Sequence, residues 1–300
     1  MKRLLVTGAT GFVGQWVTRC LSTDARHQFE VVPMPTLDIR NLEAVVDAVS
    51  EIRPNAVLHL AAQSFVPRSF EAPRETLEIN LFGTLNLLQA LQRVAFPGRM
   101  LFVSSGDVFG RVPDAALPVN EAWQAEPRNP YAVSKLAAEK LCLQWHHSEG
   151  MDVCIARPFN HVGPGQDDRF VLPSLARQVA EISSGAREPI VEAGDIDVSR
   201  DFTDVRDVVE AYAAILTLGV SGRTYLIGSG RERSIRELLV RMCELEGVEV
   251  KIHQDPRRMR PSEQRRMVAD PRLLYEDTGW RPQTPMDVTL RDILDYARKD

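Results

Sequence analysis

Apolar positions in the first half of the chain follow two alternating rhythms. Short runs with little polar interruption recur at Leu4-Leu5-Val6, Glu30-Val31-Val32, 56–60, 99–103 and 152–156. Between them, apolar residues return every three to four positions, as in Phe12, Val13, Trp16, Val17, Cys20 and Leu21, or Leu42, Val45, Val46, Val49 and Ile52, and again over 74–94 and 130–148. The first rhythm belongs to strands buried on both faces, the second to helices with one apolar side. Their alternation predicts an α/β fold with a doubly wound parallel sheet covered by helices on both faces.

The second half reads differently. Helical spacing at 170–184, 205–218, 235–246 and 286–298 alternates with strands near Pro189, Thr224 and Val250, and long polar, Pro-containing connections intervene. This predicts a smaller α/β lobe interleaved with the first unit, which takes 1–160 and about 202–228, the lobe taking 161–201 and 229–300. No repeat of solenoid period and no low-complexity linker interrupts the chain.

Over 300 residues, 36 Lys+Arg stand against 41 Asp+Glu, a formal charge of −5, with 44% apolar residues. The mean hydropathy is −0.18. An acidic total argues against nucleic acid as a partner. No apolar run approaches the roughly 20 residues that span a bilayer, and no signal peptide is evident, so a soluble, cytoplasmic protein without membrane contact is expected. The four cysteines and six histidines are scattered, which points to neither a disulfide framework nor a metal site.

Candidate chemistry begins at Thr7-Gly8-Ala9-Thr10-Gly11-Phe12-Val13-Gly14. Three glycines between a strand and a helix allow a tight turn and close backbone approach, and the helix start offers free N–H groups to a pyrophosphate. Gly8, Thr10, Gly11, Phe12, Val13 and Gly14 are therefore candidate dinucleotide contacts. An acidic residue that would hold a ribose 2′-hydroxyl is missing near Val32-Pro33-Met34, so NADPH is expected, with NADH as an alternative. Tyr131-Ala132-Val133-Ser134-Lys135 puts a phenol and an ammonium on one face of a predicted helix, where the ammonium is expected to lower the phenol's pKa. Ser105 lies just beyond the carboxyl end of the strand 99–103, where it would reach a substrate carbonyl.

The Gly-x-x-Gly-x-x-Gly turn, Ser105, Tyr131 and Lys135 together resemble the short-chain dehydrogenases/reductases. The long tail and Arg157-Pro158-Phe159-Asn160-His161 resemble that family's extended, nucleotide-sugar branch. The resemblance implies a Rossmann-type fold and a Ser-Tyr-Lys triad in which Ser105 polarises the carbonyl, Tyr131 exchanges the proton and Lys135 tunes Tyr131. It further implies cofactor contacts from Asp38 and Ile39, Asp38 otherwise serving as a helix cap, and from Leu60, Ala61 and Ala62. For substrate it implies Ser64, Ser105, Asn160, Arg200, Arg260 and Glu263, the two arginines gripping a diphosphate. The stretches Phe159-Asn160-His161-Val162-Gly163-Pro164-Gly165-Gln166 and Arg200-Asp201-Phe202 resemble the branch's guanosine-diphosphate deoxysugar enzymes. The implied activity is reduction of a GDP-linked 4-keto-6-deoxy sugar, with a dehydratase or epimerase as the alternative. Asp107 stands where a dehydratase keeps an acid/base Glu, and is a further catalytic candidate. A homodimer or homotetramer is also implied, Leu87, Leu88, Leu136 and Leu141 serving either its interface or the core.

Overall fold

Residues 1–23, 29–255 and 264–299 are described by a computed structural model of the chain. Its first elements are β1 (Lys2–Thr7), α1 (Phe12–Thr23), β2 (Phe29–Pro33), α2 (Leu42–Ile52) and β3 (Ala56–His59). Next come α3 (Val66–Glu71), α4 (Pro73–Leu77), a π-helical stretch Glu78–Phe82, α5 (Gly83–Arg93), β4 (Arg99–Val103), α6 (Pro130–Glu149) and β5 (Asp152–Pro158). They are followed by β6 (Asn160–Val162), α7 (Val171–Ser183), β7 (Ile190–Ala193), β8 (Ser199–Asp204), α8 (Val205–Leu218) and β9 (Thr224–Ile227). Last are β10 (Glu232–Ser234), α9 (Ile235–Glu246), β11 (Lys251–Gln254), β12 (Arg266–Met267), α10 (Arg272–Thr278) and α11 (Met286–Ala297).

Six parallel strands form the central sheet in the order β2-β1-β3-β4-β5-β9. Helices α1 and α8 cover one face through Val17, Leu21, Val208, Tyr212 and Ile215. On the other, α2, α5 and α6 supply Val45, Val49, Leu87, Leu88, Leu91, Ala138 and Cys142. Leu87 and Leu88 are fully buried, so they serve the chain's own core. The sheet order reverses between β1 and β3, and the crevice for ligand in such a sheet lies outside the carboxyl ends of strands at that point.

A second core gathers Leu172, Leu175 and Val179 of α7, Leu239 and Met242 of α9, and Leu290 and Ile293 of α11 against Val162 and Phe202. Its strands are short: β10-β8-β12 with β6 on β8, and β11 on β7. The single helix predicted over 74–94 is divided, because the π-helical stretch interrupts it and turns Asn80 inward to 1% exposure. Helix α6 starts where its residues dictate. Asn129 accepts the Ala132 N–H at 2.7 Å, Pro130 fills the first turn, and Gly150 at φ 69° ends it.

Candidate active site

The glycine turn, the 60–64 segment and the Ser105 turn leave the carboxyl ends of β1, β3 and β4. After β1, Gly11 N–H donates to the Gly8 carbonyl at 3.1 Å, closing the turn ahead of α1. Gly8 sits at φ +70°, and a Cβ on it would meet the Ala61 nitrogen at 2.8 Å. A Cβ on Gly14 would lie 2.3 Å from the Gly8 carbonyl oxygen. The turn is thus bare backbone packed against 60–61, a cradle whose N–H groups fit a dinucleotide pyrophosphate. Thr10 is exposed beside it. Thr7 Oγ1 accepts the N–H groups of Leu60 and Ala61, each at 3.1 Å, which ties the two loops together.

Toward the adenosine end, β2 finishes at Pro33 without a carboxylate, as read from the sequence. Asp38 is exposed and bound through both oxygens by Arg40, which holds its carboxyl near a pKa of about 2. Asp38 does not cap α2. That role falls to Asn41, which accepts the Ala44 N–H at 3.3 Å, three residues nearer the helix. Ile39 is buried so tightly on Gly83 that a Cβ there would meet its side chain at 2.6 Å.

Ser105 begins the 3-10 turn Gly106–Phe109, its Oγ accepting the Asp107 N–H at 3.1 Å. This leaves its hydroxyl proton free to donate, and Ser105 hydrogen-bonds the buried Tyr131 phenol. The expectation that Lys135 lowers the phenol's pKa is not met. Burial raises it, Asp107 raises it further, and the Ser105 hydrogen bond alone pulls it down. The reason is that Lys135 Nζ donates to the Val103 carbonyl at 2.8 Å, beside the Phe102 ring. A high phenol pKa keeps the proton in place at neutral pH, the state of a general acid. Lys135, buried at 4% exposure, is itself held down to about 8. Turnover is therefore expected to fall above about pH 8, as the ammonium is lost. A pH–rate profile checks this, and a plateau to pH 10 would contradict it.

Asp107 is open to water in the crevice yet walled by protein on most sides, which raises its pKa while Arg200 pulls the other way. Arg200, on β8, donates to the carbonyls of Ser199, Gln264 and Arg265 at 2.8, 3.0 and 3.2 Å. Ser64 and Asn160 are exposed, Ser64 after β3 and Asn160 at the start of β6. Phe12 and His161 lie with rings parallel and centroids 6.3 Å apart, joining the glycine turn to β6. Arg260 and Glu263 lie outside the described residues.

A buried polar chain beneath the site was not read from the sequence. His59 takes its Nδ1 to Thr7 Oγ1 at 2.7 Å and its Nε2 to Thr84 Oγ1 at 3.0 Å. Thr84 donates to the Asn80 carbonyl at 2.6 Å, and Asn80 Nδ2 donates to Ser134 Oγ at 2.8 Å and to the Gln63 carbonyl at 3.0 Å. Ser134 in turn donates to the Tyr131 carbonyl at 2.7 Å. Burial pushes the His59 imidazole down to about 3, so it works as a neutral relay of hydrogen bonds. The only signal in the sequence was polar residues inside apolar runs.

Sheet, glycine turn and the Ser105, Tyr131, Lys135 arrangement define an extended short-chain dehydrogenase/reductase. The chain belongs to the GDP-mannose 4,6 dehydratase family, whose model matches residues 22–293. It is 49% identical over 294 residues to a GDP-6-deoxy-D-mannose reductase of Pseudomonas aeruginosa, covering 98% of this chain and 96% of that one. Among solved structures, RMD from Pseudomonas aeruginosa complexed with NADPH superposes with a TM-score of 0.95 at 47% identity, over 100% of this chain and 99% of that one. The UDP-glucose 4-epimerase of Thermus thermophilus in complex with NAD gives 0.86 at 31% identity, over 99% of each chain.

Proposed function

We propose that this chain is an NADPH-dependent reductase that converts the C4 keto group of GDP-4-dehydro-6-deoxy-D-mannose to the alcohol, giving GDP-6-deoxy-D-mannose, also called GDP-D-rhamnose. The observation that carries the reading is the 49% identity to a GDP-6-deoxy-D-mannose reductase along nearly the whole of both chains. NADPH supplies the hydride. In this reading the 8–14 turn, the 60–62 segment and Lys135 hold the dinucleotide. Ser105 donates its free hydroxyl proton in a hydrogen bond to the keto oxygen. Tyr131 then gives its phenolic proton to that oxygen as the alcohol forms, and the phenolate left behind takes a proton back from solvent. Asn160 and Ser64 face the sugar, and Arg200, with Arg260 and Glu263, grips the GDP, so the smaller lobe carries the nucleotide sugar.

The test is to supply GDP-4-dehydro-6-deoxy-D-mannose with NADPH or NADH, follow nicotinamide oxidation and identify the sugar by NMR. One nicotinamide oxidised per sugar reduced is the expected result; none oxidised would overturn the reading. Asp107 favours one second reading, a 4,6-dehydratase activity, because its carboxyl stands two residues beyond Ser105 with a pKa raised by its surroundings. Product from GDP-mannose without added reductant would reveal it. For substrate binding, Arg200→Ala is expected to raise the KM for the GDP-sugar about 10-fold to 100-fold with little change in NADPH affinity. Titrating each ligand separately checks this, and an unchanged KM would remove Arg200 from the GDP site.

The reading includes a homodimer. Phe70, Phe82 and Val133 stand 62%, 52% and 44% exposed on α3, the π-helical stretch and α6. Val133 also lines an open groove of about 390 Å³, together with Leu77, Pro127, Arg128, Asn129 and Pro130. Sedimentation distinguishes a dimer from a monomer or tetramer.

A further inference from the structure

Helix α6 carries a third buried polar residue on the face of Tyr131 and Lys135. Glu139 follows Lys135 by one turn, as Lys135 follows Tyr131, and the three are 8%, 4% and 1% exposed in chain order. The Glu139 carboxylate is held by Arg157 through two parallel hydrogen bonds, Nε to Oε1 at 2.9 Å and Nη2 to Oε2 at 2.7 Å. Arg157 is the penultimate residue of β5 and is 6% exposed.

Beyond the pair, the packing leads to the other catalytic element. The Arg157 guanidinium stands 4.9 Å from the centroid of the Phe109 ring. Phe109 closes the 3-10 turn that Ser105 begins, and its ring meets that of Phe159 with centroids 6.3 Å apart. Phe159 underlies the same turn so closely that a Cβ on Gly106 would meet its ring at 3.1 Å. An unbroken path therefore runs from the helix of Tyr131, through the ion pair, to the floor of the Ser105 turn. Stability alone does not call for such a pair, since apolar residues of similar volume commonly serve as well or better.

We propose that the Glu139–Arg157 ion pair is a positioning device for the reaction, setting Tyr131 against Ser105 and keeping a carboxylate one turn from Lys135. This rests on the reductase reading above. Tyr131 precedes Lys135 by one turn of α6, and the groups that face Lys135 are Glu139 and Cys142 from α6, the neutral His59 from β3, and the Val103 carbonyl and Phe102 ring from β4. Burial disfavours its ammonium, while Cys142 and Glu139 favour it.

The experiment compares wild type with Glu139→Gln and with the paired substitution of Glu139→Met and Arg157→Met, measuring pH–rate profiles, thermal unfolding and NADPH affinity by fluorescence across pH. In Glu139→Gln the carboxylate is gone and the Arg157 charge remains, so the alkaline limb is expected to move down by about one pH unit. With Tyr131 displaced from Ser105, kcat is expected to fall about 10²-fold while KM values stay near wild type. The paired Met protein leaves neither charge of the pair without its partner and is expected to fold, with kcat lowered to a similar extent. A folded Glu139→Gln protein with wild-type kcat and limb would overturn the proposal, as would wild-type kcat in the paired protein. If wild type itself does not turn over this sugar, the reductase reading fails. The NADPH titration then decides the inference, by whether the pH at which affinity is lost moves down in Glu139→Gln.

Discussion

Tyr131→Phe is expected to lower kcat for keto-sugar reduction by about 10³-fold and to leave NADPH affinity close to wild type. Phenylalanine fills the same buried volume, so the change removes the acidic proton and little else. The cost to folding is small, since Ser105 loses one hydrogen-bond partner worth about 1 kcal/mol. The catalytic cost is large because the phenol is the group that burial and Asp107 keep protonated beside Ser105. Steady-state kinetics with saturating NADPH, a fluorescence titration and a melting curve separate these effects. Turnover within about 10-fold of wild type would assign the proton to another donor, with Asp107 the first to test by Asp107→Asn.

How much of this was legible follows from how local each signal is. The start of α6 could be read because its cap, its proline and the Tyr131, Lys135 spacing lie within seven residues. The glycine turn was equally self-contained. By contrast β8 reads as a polar, charged segment, and it is a strand because its charges are satisfied from afar. Asp201 is wholly buried and accepts N–H groups from Ser229 at 2.7 Å, Gly230 at 2.9 Å and Ala269 at 3.2 Å. Asp204 caps α8 and accepts the Thr289 hydroxyl, 85 residues away, at 2.7 Å. No window of sequence contains those partners. The state of Tyr131 was misjudged for a related reason. Spacing places Lys135 on the right face, but the Val103 carbonyl that claims its ammonium belongs to a strand 32 residues earlier.

Gly14→Ala is expected to destabilise the protein by about 3 kcal/mol, since its new methyl would overpack rigid surroundings, and to abolish measurable NADPH binding. The added carbon would lie 2.3 Å from the Gly8 carbonyl oxygen and 2.5 Å from the Ala9 Cα. Both obstacles are backbone, so no rotamer relieves them and the turn must open. Opening it moves Gly8 off the 60–61 segment and spreads the N–H groups that the proposed function assigns to the pyrophosphate. For a chain of this size the loss corresponds to about 5 °C in Tm. Gly11→Ala supplies the contrast, because its Cβ would come no nearer than 3.3 Å to the Gly8 oxygen. A shift of a few tenths of an ångström accommodates it, and most of the stability and binding should survive. Melting curves and NADPH titrations of the two variants side by side test the argument. Equal losses would mean that glycine is needed along the whole turn for conformational freedom, whereas loss at Gly14 alone would locate the requirement in the close approach of α1 to the strand end.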